Sequence, residues 1–275
     1  MPTHEDYLLG TDDVESVRLA IQHRLWAESA AAAWERAGIV PGSRVLDVGC
    51  GPGYAAMDLA QLVGPRGRVL GVEGSPAYTA QFNESARLRG FEHASAIQGD
   101  VHTLTDALGD ELATFDVAYA RWVFCFSQTP ARLAEQMHGA LRPGGRVAIQ
   151  DYFGYQAIKL APRSDAFQRG IRAIVESWEG TGASLDVMGD MPTLLRAAGF
   201  ELTHFRVIQR LARSTEQMWT WPSIFWHSYI PRVVAGGHLT QPEADAFMNA
   251  WEQASNNPDA FLLLPPVFEA VAIKH

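Results

Sequence analysis

Between residues 44 and 151 the chain alternates short apolar runs with stretches of helical spacing, and that alternation leaves few folds open. The runs are RVLDV (Arg44 to Val48), RVLGVE (Arg68 to Glu73), ASAIQ (Ala94 to Gln98), FDVAYA (Phe115 to Ala120) and GRVAIQD (Gly145 to Asp151), punctuated by glycine and proline. Strands separated by helix-length segments join by crossovers, not hairpins, which predicts a parallel sheet with helices on its faces.

The flanks extend this pattern. VESVRLAIQHRLWAESAAAAWERAG reads as one or two amphipathic helices ending at Gly38. Beyond the fifth strand, helices are expected at Asp165 to Trp178 and Met191 to Ala198, a sixth strand at Glu201 to Ala212 and a seventh at Val267 to Lys274. The segment between those two strands reads as helical, with Pro222 and Pro231 as breaks or starts. The expected organisation is a single domain over 1–275, with an N-terminal helical cap at 1–40, a core at 41–212 plus 263–275, and a helical insertion or lid at 213–262.

Composition narrows the partners. With 47% hydrophobic and 19% charged residues the chain can bury a sizeable core. Lys and Arg number 22 against 31 Asp and Glu, a formal charge of −9 that repels polyphosphates, so no nucleic-acid partner is expected. No apolar run is long enough for a membrane span, and the opening MPTHEDYLLG lacks the basic and apolar regions of a signal peptide, so a soluble, cytoplasmic protein is expected. Two cysteines, Cys50 and Cys125, make neither a disulfide framework nor a zinc site.

The most specific local signal is VLDVGCGPG. Asp47 ends a strand, and Gly49, Gly51 and Gly53 follow at alternate positions before a helical stretch, so the backbone can pass close beneath a ligand. The dinucleotide pattern Gly-x-Gly-x-x-Gly is not met, because Tyr54 stands where its third glycine belongs. The Gly-Lys-Ser/Thr of a phosphate loop is also missing. Asp47 would repel a pyrophosphate and attract an ammonium group, so a cationic ligand fits better. Glu73 at the tip of the second strand can accept both hydroxyls of a ribose. Asp100, after the third strand, can accept from an exocyclic adenine amine, with Val101 as an apolar ring contact. Together these stations describe an adenosine, although each acid taken alone also suits a turn or helix cap.

On these motifs the chain resembles the class I S-adenosylmethionine-dependent methyltransferases, in the group that includes the ubiquinone and menaquinone biosynthesis methyltransferases. VLDVGCGPG is similar to the family's first motif, GVEGSP to its acidic second-strand end, QGDV to its adenine-contact turn and ALRPGGRVAIQD to the turn into its fifth strand. The resemblance implies an α/β, Rossmann-like seven-stranded sheet in the order 3-2-1-4-5-7-6, with the last strand antiparallel, helices on both faces and S-adenosyl-L-methionine as cofactor. It places Asp47, Gly49, Cys50, Gly51 and Gly53 on the methionine side, Glu73, Gly74 and Ser75 at the ribose, and Asp100 and Val101 at the adenine. Arg121 joins the cofactor set. Tyr7, in Tyr7-x-x-Gly10, and Gln22 resemble elements that fold over the cofactor in some relatives, and both also suit helix packing.

Methyl transfer chiefly requires alignment of two reactants and exclusion of water. Residues beyond the fourth and fifth strands, among them Trp122 and Tyr152, are expected to face the acceptor. Cys125 has no preceding proline to mark a cytosine-methylating nucleophile, and Asp151 is followed by Tyr152 instead of Asn, so no metal is expected. MWTWPSIFWHSYIPRVV is too apolar to be exposed. Either it packs against the core or a subunit interface, leaving a homo-oligomer open, or its Trp226 and Tyr229 line an aromatic substrate pocket. His227 within it is the candidate general base, with His23, His102 and His204 as competitors. The function expected is methyl transfer to a small, partly apolar molecule, aromatic or polyketide-like. The alternatives are a non-catalytic S-adenosylmethionine-binding protein and a nicotinamide-dependent oxidoreductase.

Overall fold

A computed structural model describes residues 13–275. One helix, α1 (Asp13–Ala37), precedes the alternation β1 (Arg44–Val48), α2 (Tyr54–Val63), β2 (Arg68–Glu73), α3 (Pro76–Leu88), β3 (Ala94–Gln98), α4 (Leu104–Ala107), β4 (Phe115–Arg121), α5 (Pro130–Ala140) and β5 (Leu141–Tyr152). There follow β6 (Lys159–Ala161), α6 (Asp165–Glu179), α7 (Met191–Ala197), β7 (Phe200–Ile208), β8 (Leu211–Arg213), α8 (Thr220–Ala235), α9 (Gln241–Ser255), β9 (Phe261–Leu263) and β10 (Val267–Lys274). Seven strands form one sheet in the order β3-β2-β1-β4-β5-β10-β7. β1 to β5 run parallel, and β10 is antiparallel to both of its neighbours. Counting only these seven strands, this is the expected order 3-2-1-4-5-7-6.

Successive side chains of a strand point to opposite faces, so each parallel strand feeds two cores. Val45, Val69, Val117, Tyr119, Ala148 and Val271 pack with α2, α3 and the second half of α1. Leu46, Val48, Leu70, Val72, Ala118 and Ile149 pack on the other face, in the larger core that also holds residues of α5, α6, α7 and α8.

Three expectations are corrected. The sixth strand does not run unbroken to Ala212: β7 stops at Ile208, and Leu211–Arg213 pairs with β9 instead. The polar pair between them turns the chain away, since Gln209 Nε2 donates to Leu264 O and Arg210 Nη1 donates to Leu25 O on α1. The insertion is not wholly helical, because β9 joins β6 and β8 in a three-stranded antiparallel sheet. Pro231 does not break its helix: α8 runs on through Ala235, with Pro222 in its first turn, where a missing N–H leaves no bond unmade.

One polar network crosses the α1-covered face. Glu269 on β10 has no solvent exposure and accepts from Arg36 Nη1 at 2.8 Å, Arg206 Nε at 3.2 Å and Gln150 Nε2 at 2.9 Å. Gln150 also donates to Ser29 O on α1 and accepts from the Tyr119 hydroxyl. The two arginines are only 33% and 35% exposed, so they cannot rehydrate fully if the carboxylate is removed. Glu269→Ala should lower the free energy of unfolding by about 2 to 4 kcal/mol. Urea denaturation checks this, and a loss below ~0.5 kcal/mol would show that water replaces the carboxylate without cost.

Candidate active site

Helices alternate between the two faces on either side of β1 and β4, so a crevice opens at the carboxyl ends of the strands. There a single cavity of about 1130 Å³ reaches from the tips of β1, β2 and β3 to α6 and α8. Its first half is the glycine loop. Gly49 and Cys50 both donate their N–H to Val72 O, which draws the loop back over β2. Gly49 has φ +63°, and a Cβ there would meet Val123 Cγ2 at 2.8 Å. Gly53 has φ +86° and caps α2, and a Cβ on it would run into the Phe82 ring. Side chains at these positions would be strained in backbone and blocked in space.

Asp47 lies at the cavity floor, 3% exposed, with Oδ2 buried and unpartnered. Burial pushes its carboxyl up to about 7; the Arg121 guanidinium opposes the shift and the nearby Glu73 adds to it. Arg121, at the end of β4, likewise keeps a buried Nη1 with no partner. Glu73 lines the cavity, and burial raises its pKa despite backbone donors at Ser75, Gly51 and Gly74. Its Oε2 accepts from Gly51 N at 2.9 Å and its Oε1 from Ser75 N at 2.8 Å, which ties the glycine loop to the tip of β2. Gly51, Gly74 and Val101 also line the cavity. Cys50 does too, with a thiol that burial holds well above its ordinary pKa. Asp100 accepts from His102 N at 2.8 Å and meets His102 Nδ1 at 2.9 Å. His102 Nε2 lies 2.7 Å from Ser127 Oγ, so this chain links the turn after β3 to the loop before α5.

The second half of the cavity is aromatic. Trp122 has φ +54°, a costly backbone for a bulky side chain. That conformation seats its ring between Tyr152 at 6.0 Å and Trp221 at 5.8 Å, nearly parallel to both. Tyr155, Trp178 and Phe225 continue the wall. Burial raises the pKa of Tyr152 and of Tyr155, so both phenols stay protonated. Gln22 lines the cavity as well, and its Oε1 accepts from both Arg18 Nη1 and Trp221 Nε1, which fastens α1 to α8.

Not every expected residue reaches the cavity. His227 is exposed on α8, with Nδ1 2.7 Å from Ser223 O and away from the crevice, so it has no proton to take from an acceptor there. Tyr229 is buried behind the wall, its hydroxyl 3.2 Å from Ser177 Oγ and its ring stacked on Phe225. Ser75 is used up as the N-cap of α3, where its Oγ accepts from Tyr78 N, and Gly53 acts through backbone shape only. Trp226 touches the cavity but is 1% exposed and packs edge-on against Phe167, Phe247 and Trp251. Tyr7 lies outside the described residues. Sequence reasoning missed Tyr155 and Trp178, which carry no local motif. It treated His23 only as a competing base, whereas its ring is bonded to Arg121 and Asp58.

The buried Asp47 has a consequence for stability. Between about pH 4 and 7 the native state keeps a proton that the unfolded chain has released, so this group costs stability progressively as pH rises through that window. Asp47→Asn removes the cost. Without ligand, the variant's gain in unfolding free energy should be about 2 kcal/mol larger at pH 8 than at pH 5. A gain independent of pH would show Asp47 ionised throughout.

Comparison with known proteins agrees with the geometry. The family described as a methyltransferase domain matches residues 39–182, just over half of the chain. An arsenite methyltransferase of Halobacterium salinarum is 32% identical over 165 residues, 60% of this chain and 39% of that protein. A 2-phytyl-1,4-naphtoquinone methyltransferase of Synechococcus elongatus is 35% identical over 131 residues, 47% of this chain and 53% of that protein. The chain thus aligns with roughly two-fifths to half of the length of these relatives. Among solved structures, phosphoethanolamine N-methyltransferase 2 of Haemonchus contortus has a TM-score of 0.60 at 17% identity, covering 100% of this chain and 61% of that one. The SpnF cyclase has a TM-score of 0.57 at 19% identity, covering 90% and 80%. At such identities the structures speak for the fold alone. With the fold, the glycine loop and the family match in agreement, the chain belongs to the family described as a methyltransferase domain.

Proposed function

We propose that the protein transfers a methyl group from S-adenosylmethionine to a small, partly apolar molecule of aromatic or polyketide-like character. The observation that carries this reading is one continuous cavity with two chemically different halves: unpartnered Asp47 and Arg121 beside a glycine cradle, then a wall of Trp122, Tyr152, Tyr155 and Trp221. Its volume exceeds the ~300 to 1,000 Å³ usual for one small ligand, which suits two reactants side by side.

The residues present fit the cofactor. Asp47 can take the ammonium and Arg121 the carboxylate of its methionine end, Glu73 the ribose hydroxyls and Asp100 the adenine amine, each a charge-assisted contact. When bound, the cofactor supplies an electrophilic methyl group on a sulfonium. The chain's contribution is then to hold the acceptor in line and to keep water out, the task of the aromatic wall and of Gln22, which closes α1 against α8. Among the described residues the carboxylates lining the cavity, Asp47, Glu73 and Asp100, all belong to the cofactor half. His227 lies outside, and the histidines on the cavity are engaged, His23 with Arg121 and Asp58 and His102 with Asp100 and Ser127, so in this reading the acceptor's reacting atom is nucleophilic with little help from a base. Residues 213–262 serve as a cap in this reading, since α8 places Trp221, Pro222 and Phe225 on the cavity.

With His227 outside the crevice and the cavity's carboxylates all in the cofactor half, a second reading is a protein that binds the cofactor without turning it over. At 100 times its dissociation constant, S-adenosylhomocysteine should stabilise the fold by about 2.7 kcal/mol, seen as a rise in melting temperature that NAD does not produce. No rise with S-adenosylhomocysteine would refute the cofactor assignment. Release of S-adenosylhomocysteine from S-adenosylmethionine, with a panel of phenols, enols and polyketide-like acceptors, separates the readings: turnover supports transfer, and binding without turnover supports the second.

Trp226 gives a sharper test of the cap. Its ring is packed on several sides, so Trp226→Ala should cost about 3 to 5 kcal/mol of unfolding free energy. The folded fraction should bind S-adenosylhomocysteine as tightly as the parent does. A small melting change with weakened acceptor binding would instead make Trp226 a substrate contact.

A further inference from the structure

The guanidinium of Arg121 is held by two of its neighbours at the cavity wall. Its Nη2 donates to His23 Nδ1 at 2.9 Å, and its Cζ lies 5.0 Å from the centre of the Trp122 ring. Arginine has donors only, so the contact fixes the histidine tautomer: Nδ1 accepts, and Nε2 carries the proton that it donates to Asp58 Oδ2 at 3.0 Å. A carboxylate–imidazole–guanidinium chain therefore runs from Asp58 on α2, through His23 on α1, to the tip of β4. His23 is 9% exposed and the Asp58 carboxylate is half-exposed, so the chain runs from the surface inward to the arginine.

The inner end of the chain is unusual. Arg121 and Asp47 line the same cavity and feel each other's charge, yet each keeps a buried polar atom without a partner, Nη1 on one and Oδ2 on the other. A free arginine has several rotatable bonds, and beside a buried carboxylate it would turn to meet it, because unpaired buried charges are costly. What prevents the collapse is visible in the structure: Nη2 is taken by His23, and the guanidinium is stacked over Trp122.

We propose that His23 and Asp58 are positioning residues that hold Arg121 apart from Asp47, so that the two present an open ion pair matched to the carboxylate and ammonium of an amino-acid group. The inference rests on the cofactor reading above and deepens it. Helix α1 becomes part of the receptor for the methionine end, through a residue that acts by way of the arginine.

The test compares two ligands on the full chain: S-adenosylhomocysteine, which carries the amino-acid end, and 5′-methylthioadenosine, which keeps the nucleoside thioether and lacks it. Calorimetry should show His23→Ala weakening S-adenosylhomocysteine by about 10- to 100-fold, with 5′-methylthioadenosine changed less than about twofold. His23→Gln, whose amide oxygen can still accept from Arg121, should recover most of the loss, and Asp58→Asn should fall between. Equal loss of both ligands in His23→Ala would reduce His23 to a structural role and overturn the proposal, as would equal affinity of the parent protein for both. A parent protein that binds neither ligand overturns the cofactor reading itself, and this inference with it. Melting curves of each variant confirm that the folded protein is being compared.

Discussion

Everything in this molecule follows from the position of β1. It has β2 on one side and β4 on the other, so the chain leaves the centre of the sheet first in one direction and then in the other. Right-handed crossovers then place successive helices on opposite faces, and the loops after β1 and β4 part at the strand tips. The crevice is therefore a topological necessity before any side chain is considered. What the side chains decide is whether it stays open. Here the three glycines let the loop after β1 lie flat, while Trp122, forced to a positive φ, turns the end of β4 into a wall.

That crevice is maintained at an electrostatic cost. A folded protein with nothing bound would gain by turning Arg121 inward to meet Asp47. The structure instead leaves the buried acid unpartnered, its carboxyl pushed up to about 7, and fastens its counter-charge elsewhere. Destabilised polar groups of this kind gather where a ligand is to replace the missing contacts, so the least favourable part of the fold coincides with its functional part.

The parallel core was legible because its strands are short, apolar and separated by helix-length segments, a pattern with one economical solution. The placement of Asp47, Glu73 and Asp100 was legible for a related reason: the first two stand at the carboxyl ends of β1 and β2 and the third just past β3, where the backbone decides the position and the residue type decides the chemistry. The cap was not. Helix α8 is apolar on most of its circumference, so its sequence carries no phase, and neighbours as close as Trp226 and His227 end on opposite sides of the question. Tyr229, one turn beyond Phe225, stacks on that ring and still misses the cavity. Trp178 reaches the wall because α6 packs against the turn at 155–157 that carries Tyr155 and the Trp178 indole donates to Cys125 O, tertiary contacts that no local spacing announces. The end of β7 was misjudged because Gln209 and Arg210, polar residues between two apolar runs, act through distant carbonyls.

The network under the sheet makes the order of assembly matter. β10 comes later in the chain than β5 and β7, yet it lies between them, so the sheet cannot be completed by adding neighbours in turn. Until it enters, β5 has an open edge, β7 has no partner and the Gln150 amide lacks the Glu269 carboxylate. Such pairing across a long sequence separation closes late and slowly. Because Gln150 is also bonded to Tyr119, which lines the cavity, the network that seats this last strand reaches the crevice itself.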